Sequence, residues 1–237
     1  MKQFNVLYRL ILRSIATTGR IASLGALGAL GIIVGSALGA DTAREGAQFV
    51  GLFGLSVVVP LTTLVFATAA LGDIIDDGTM VYLWLRPVAR FRIVGAAAAA
   101  TLTVVVPLVL VPLVIAAALT GSGRDVVVGA ALSAMFGLVA YTGLFVMLGV
   151  RVRRSLIWGL LYVFIWEGFV ANAGETASRL AVRSYTRSIL SDIGLPSGAA
   201  PLRLATISSV YSYVIPVVVF VAALAYATWR MQHQDVA

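Results

Sequence analysis

DIIDDGTMVYLWLRPVARFRIVGAAAAATLTVVVPLVLVPLVIAAAL, residues 73–119, joins two kinds of chain. From Ile93 to Leu119 there is no charged residue. A helix of that length, at 1.5 Å per residue, exceeds the roughly 30 Å of hydrocarbon in a bilayer. The part before it places Asp73, Asp76 and Asp77 close together and follows them with Arg86-Pro87. Each aspartate at a bilayer centre would cost about 2.5–3.5 kcal/mol. Residues 73–92 therefore read as a loop between two membrane-crossing helices. The loop keeps Ile74, Ile75, Val81, Leu83, Trp84 and Leu85 among its charges, so it is expected to form a short helix with something to dock on.

The rest of the chain repeats the apolar pattern. Its 237 residues are 60% hydrophobic and 11% charged, with a mean hydropathy of +1.00; a soluble domain would carry about a quarter charged residues. Six helices are predicted, at 21–40, 49–71, 93–119, 126–150, 155–173 and 210–229. The fold class is thus all-α integral membrane, one transmembrane domain over 1–237 with no room for a soluble one. "SALGA" at 36–40 faintly resembles a signal cleavage site, but the basic region and the apolar run before it are both longer than a signal peptide's.

Basic residues orient the chain. Lys2, Arg9, Arg13, Arg20, Arg86, Arg90, Arg92, Arg151, Arg153, Arg154 and Arg230 fall in one set of segments. Arg44, Arg124, Arg179, Arg183, Arg187 and Arg203 fall in the other. Eleven against six predicts both termini in the cytoplasm. One lysine against sixteen arginines, with abundant Ala and Gly, suggests a GC-rich prokaryote, hence a prokaryotic plasma membrane.

Several features could carry function. In residues 2–20, Phe4, Leu7, Tyr8, Ile11, Leu12 and Ile15 recur on one helical face, and Asn5, Arg9 and Arg13 on another. That pattern predicts an interfacial helix with its arginines among anionic headgroups. Gly31, Gly35 and Gly39 form a small-residue stripe that allows close helix packing, within the chain or between two copies. Ser56, Pro60, Thr63 and Ala67 share one face of the second span; Trp158, Tyr162, Trp166 and Phe169 recur at similar spacing in the fifth. The two faces could line a path for an amphipathic substrate, or they could be packing surface with Trp158 as an interfacial anchor. Glu167 is the only acidic residue within a span, expected in the outer half of its helix. It could pair structurally with Arg179 or Arg183, or carry a proton or substrate. Residues 174–206 form a long outer loop. Its stripes Arg179/Arg183/Arg187 and Val182/Tyr185/Ile189/Ile193 predict an amphipathic helix that dips into the outer leaflet, ended by "GLPSGAAP".

Some chemistry is excluded. Without cysteine there are no disulfides or thiolates. His233 is the only histidine, so no His-based triad or histidine-rich metal site can form. Lys2 is the only lysine, so no G-x-x-x-x-G-K-[ST] phosphate loop exists.

"DIIDDGTMVYLWLRPVARFRIVG" resembles the signature region of ABC-2 type transporter permeases, in which an acidic residue precedes "DGT", an apolar stretch follows, and Arg-Pro and a further basic residue lead into the next helix. Asp76, Asp77, Gly78, Thr79, Arg86, Pro87 and Arg90 match that pattern. "YVFIWEG" at 162–168 is similar to the family's fifth helix, ahead of its re-entrant outer segment. The chain lacks the lysine that the family carries early in its third span. The resemblance implies a membrane-spanning exporter subunit that pairs with a second copy or a paralogue. A separate ATPase subunit, holding ATP and Mg, would bind from the cytoplasm, with residues 73–92 as the coupling helix. Val81 and Trp84 would fill a groove on it. This chain itself would then catalyse nothing and need no metal. Two rival readings are a proton-coupled secondary transporter using Glu167 and a membrane-shaping factor without transport.

Overall fold

The computed structural model describes residues 2–39, 42–76, 89–196, 202 and 207–233, with only the backbone of Lys2 and of residues 74–76. Among the described residues every regular element is helical. Six helices are long and apolar enough to cross a membrane: Thr18–Leu38, Ala43–Asp73, Arg90–Leu119, Arg124–Arg151, Ser155–Asn172 and Ser209–Gln232. They coincide with the six predicted stretches. The second begins six residues earlier than expected because Thr42 caps it, its hydroxyl accepting from the Glu45 N–H at 3.3 Å.

The second and fourth spans form the centre. Their apolar windows are 67% and 56% buried, against 17–28% for the other four. The fourth buries Leu138, Tyr141 and Phe145 and packs against the second span, the sixth span and a helix at Val182–Gly194. Its glycines bring the neighbours in close. A Cβ at Gly143 would lie 2.7 Å from Phe220 Cα of the sixth span.

Proline shapes the second and third spans. Pro60 has no N–H to offer Ser56, four residues back, and Pro112 none to offer Leu108. In each case the helix widens to π geometry over the stretch that holds the orphaned carbonyl, at Val50–Val58 and Val106–Leu110. A third π stretch, Tyr162–Glu167, contains no proline.

The first span lies at the edge, and its buried residues are Gly28, Gly31 and Gly35. A Cβ at these positions would meet Pro112 Cγ at 2.8 Å, Phe53 Cε1 at 2.7 Å and the Ala116 carbonyl oxygen at 2.8 Å. The glycine stripe therefore packs within the chain, on the second and third spans. Gly39 is not part of that contact. It ends the helix in the left-handed region, φ +46, with nothing within 4 Å.

The N-terminal helix Lys2–Ile15 buries Leu7, Ile11 and Ile15 and half-buries Phe4, Tyr8 and Leu12. It lies across the third span, with Gln3 Oε1 accepting from Arg92 at 3.0 Å and the Tyr8 hydroxyl 3.0 Å from Thr103 Oγ1. Asn5, Arg9 and Arg13 face away, exposed. At the same end, Arg20 pairs with Asp73 at 2.8 Å, Gly72 approaches Ser155 and Gly149, and Arg151 donates to the Tyr226 hydroxyl at 2.9 Å. The helix that closes at Asp76 thus finishes at the end of the bundle where the first and fifth spans begin and the fourth and sixth end.

Candidate functional site: a buried polar cluster

The connection between the fifth and sixth spans differs from a single surface helix. Glu175–Arg179 is a short helix, the chain straightens at Ala181 (φ −97, ψ 130), and a second helix runs from Val182 to Gly194. That second helix buries both of its faces: Tyr185 and Ile189 on one, Arg183, Ser184, Thr186, Ser188 and Ser191 on the other. It follows the fourth span in the opposite direction. Gly137 approaches Thr186, Gly129 approaches Leu190, and Gly194 approaches Val126. Instead of turning its arginines to the surface, the helix turns its polar side into the bundle.

Glu167 sits where this helix begins, and it is 2% exposed. Its Oε2 accepts from the Tyr141 hydroxyl. Its Oε1 accepts from the Tyr162 hydroxyl at 3.1 Å and from the Val182 N–H at 3.2 Å. One carboxyl group thereby ties together the fourth span, the fifth span and the helix beyond. Tyr162 also packs edge-on against Phe145, with ring centroids 6.3 Å apart. The π turn explains this arrangement. It closes hydrogen bonds between residues five apart, as the Gly168 N–H does to the Val163 carbonyl at 3.1 Å, and it brings a hydroxyl at i−5 within reach of the carboxyl.

The expected arginine partner is absent from this contact. Arg179 pairs instead with Glu175 at 2.7 Å on the exposed short helix, because the break at Ala181 separates it from Arg183. Arg183 is buried and donates to Asn172 Oδ1 at 3.2 Å. Among the described residues no arginine lies within ion-pair distance of Glu167. Within its span Glu167 lies twelve residues after Ser155 and five before Asn172, in the half of the helix where it is expected. Tyr141, beside it, lies ten residues from Arg151 and seventeen from Arg124, about 15 Å and 25 Å at helical rise.

The two faces read as a substrate path are not brought together as one. Pro60, Thr63 and Ala67 are buried, and the Thr63 hydroxyl donates to the Val59 carbonyl at 2.7 Å. Ser56 is half-buried and turns to Arg187, whose Nη2 donates to its Oγ at 3.1 Å. In the fifth span the π stretch shifts the register, so the aromatic stripe splits. Tyr162 faces inward, Trp166 is half-buried, and Trp158 and Phe169 are 55% and 78% exposed. Such outward aromatics are surface, not the wall of a path within this chain.

Of the loop residues, Asp77, Gly78, Thr79, Val81, Trp84, Arg86 and Pro87 lie outside the described residues. Asp76 ends the helix Val59–Asp76, and Arg90 opens the third span. Asp73 was grouped with the loop, but it is committed to Arg20. Sequence reasoning missed Tyr141. The available signal was a lone phenol in the middle of an otherwise apolar fourth span.

Among the described residues no group of His, Cys, Asp or Glu could hold a metal ion. The cluster can fix a helix in place and present buried cations, and it offers no nucleophile–base pair. Compared with known proteins, the chain matches no family model, no curated protein and no solved structure.

Proposed function

We propose that this chain is the membrane-spanning subunit of an ATP-driven exporter of the ABC-2 permease type. It works as a pair of such subunits in a prokaryotic plasma membrane, each served by a separate ATPase that holds ATP and Mg. The observation that carries this reading is the place of the acidic loop. The sequence DDGTMVYLWLRP follows the helix that ends at Asp76, and that helix ends where Arg20, Arg92 and Arg151 also gather. A basic end faces the cytoplasm by the positive-inside rule, which puts both termini and the loop on the side where an ATPase resides. The N-terminal helix would lie in that membrane interface, its exposed Arg9 and Arg13 toward headgroups. The helix Val182–Gly194, set against the fourth span, supports a re-entrant segment facing the other side.

In this reading Trp84 and Val81 fill the ATPase groove, while Asp76, Asp77, Arg86 and Arg90 set orientation. Buried aromatic anchors carry most interface energy, often about 2 kcal/mol or more on truncation, and rim charges carry little. The test is co-purification of a P-loop ATPase with the tagged chain in mild detergent, followed by vanadate-sensitive ATP hydrolysis by the complex and none by the chain alone. Trp84→Ala should reduce ATPase retention by about thirtyfold, the equivalent of about 2 kcal/mol, and Asp76→Asn only mildly, with membrane insertion intact in both. Stable, transport-active protein with no ATPase attached would overturn the proposal.

A further inference from the structure

The helix Val182–Gly194 carries two arginines one turn apart, Arg183 and Arg187, set inside the bundle. Among the described residues neither makes an ion pair. Arg183 bonds Asn172 Oδ1. Arg187 Nη2 bonds Ser56 Oγ at 3.1 Å and reaches the Gly51 carbonyl at 3.5 Å. The Nε of each is buried without a hydrogen-bond partner. Two acidic groups lie near this helix. Glu167 is already engaged by three donors, and Asp192 accepts from Ser209 at 2.8 Å. Among the described residues neither guanidinium has a carboxylate within ion-pair distance, and a desolvated cation without a counter-charge costs free energy unless an anion offsets it. A cation set among apolar spans marks a site for a charged ligand by default.

Arg187 also borders a cleft. A cavity of about 310 Å³ lies between Gln48, Gly51, Leu52, Arg187 and Leu202. Gly51 stands beside the guanidinium, where a Cβ would lie 3.9 Å from both Arg187 Nε and Leu202 Cδ1, in ordinary contact. Leu52, on its wall, is 62% exposed on the outside of the bundle. Gln48, also on its wall, is exposed as well, so the cleft opens at the surface of the bundle with Arg187 in its lining. Residues 197–206, which bracket Leu202, contain no acidic residue.

We propose that this cleft receives the anionic headgroup, phosphate or carboxylate, of an amphiphile that enters from the membrane. Arg187 binds the anion and Arg183 adds field behind it. The guanidinium fork suits bidentate pairing with either headgroup, and the exposed apolar wall at Leu52 suits the tail. For the exporter the site would define the substrate class, and in that respect it rests on the proposed function. The binding assay needs no ATPase, so failure of one reading is distinguishable from failure of the other.

The test uses the purified full chain in mild detergent and three probes: dioctanoyl phosphatidic acid, dioctanoylglycerol with the same tails and no anion, and inorganic phosphate. Phosphatidic acid is expected to bind wild type at least tenfold more tightly than it binds Arg187→Gln, with Arg187→Lys between them. Dioctanoylglycerol should not distinguish these variants. Inorganic phosphate should fail to compete at concentrations equal to the lipid's. Leu52→Trp narrows the cleft from an exposed position and leaves Arg187 in place; it should weaken phosphatidic acid binding as well, a check that does not depend on how Arg187→Gln folds. Equal binding of phosphatidic acid to wild type and Arg187→Gln, or to wild type and Leu52→Trp, would overturn the site. Equal competition by inorganic phosphate would overturn the amphiphile in favour of a soluble anion.

Discussion

Replacing Gly35 with leucine should separate the first span from the third, and the structure sets the size of the effect. The Cβ added at Gly35 would stand 2.8 Å from the Ala116 carbonyl oxygen and 3.3 Å from Ala116 C and Cα. All three are backbone atoms of a helix, so the obstacle cannot rotate away. At Gly31 the clash, at 2.7 Å, is with the Phe53 ring, a side chain with some freedom to move. At Gly25 the nearest atom is Leu108 Cδ1 at 3.8 Å, an ordinary contact. Overpacking of this kind costs about 1–3 kcal/mol, offset by up to about 1 kcal/mol of helix propensity gained on leaving glycine. The expected order of stability loss is therefore Gly35→Leu, Gly35→Ala, Gly31→Ala, with Gly25→Ala neutral or slightly stabilising. Thermal unfolding in mild detergent, followed by fluorescence-detected size exclusion, reads the series. Because the first span buries little else, the loss should appear as detachment of that span, visible as new protease sensitivity around residues 39–42. If Gly35→Leu matches wild type in both assays, the close contact with Ala116 is wrong.

Two further predictions concern the ties at either end of the bundle. Glu167→Gln replaces an acceptor oxygen with a donor against three donors, so it should cost about 1–3 kcal/mol and speed hydrogen exchange at the Val182 amide; unchanged exchange would refute the role of Glu167 as a latch. The Arg20–Asp73 pair is partly exposed, at 31% and 54%, so Arg20→Ala should shift stability by less than about 1 kcal/mol, and a larger loss in a thermal melt would mean that Arg20 does more than pair with Asp73.

The six spans were legible because hydropathy over twenty residues answers one question, whether a segment tolerates lipid, and that answer does not depend on neighbours. The same holds for the N-terminal helix, whose 3.6-residue pattern foretold that Leu7, Ile11 and Ile15 would share a buried face. What failed was every inference in which the partner decides. The glycine stripe was visible, but Gly39 belongs to it only by spacing; its φ of +46 assigns it to the helix end. The aromatic spacing in the fifth span assumed an α-helix throughout, and the π turn at Tyr162–Glu167 takes Trp166 and Phe169 out of register with Tyr162. Pro60 and Pro112 announce the other two π stretches through their missing N–H groups, whereas nothing comparable in composition announces this one.

The largest difference is in polarity. The stripe of Arg183 and Arg187 opposite Tyr185 and Ile189 predicts an amphipathic helix that dips into the outer leaflet, since on a lone helix the charged side is the solvated one. Within a bundle that rule has an exception, because a polar face can turn inward when hydroxyls and a carboxyl group are there to receive it. Ser56 of the second span accepts from Arg187, the Asn172 amide oxygen accepts from Arg183, and Glu167, held by Tyr141 and Tyr162, accepts from the Val182 N–H. The exchange is incomplete, because among the described residues neither arginine has a carboxylate within ion-pair distance. An interior that only needed to be stable would be expected to replace such an arginine with an apolar residue, as buried ion pairs can often be replaced at no loss. Keeping Arg187 beside a cleft that opens at the surface of the bundle makes physical sense if an anion arrives from outside the chain, and the comparison of phosphatidic acid with dioctanoylglycerol measures that arrival directly.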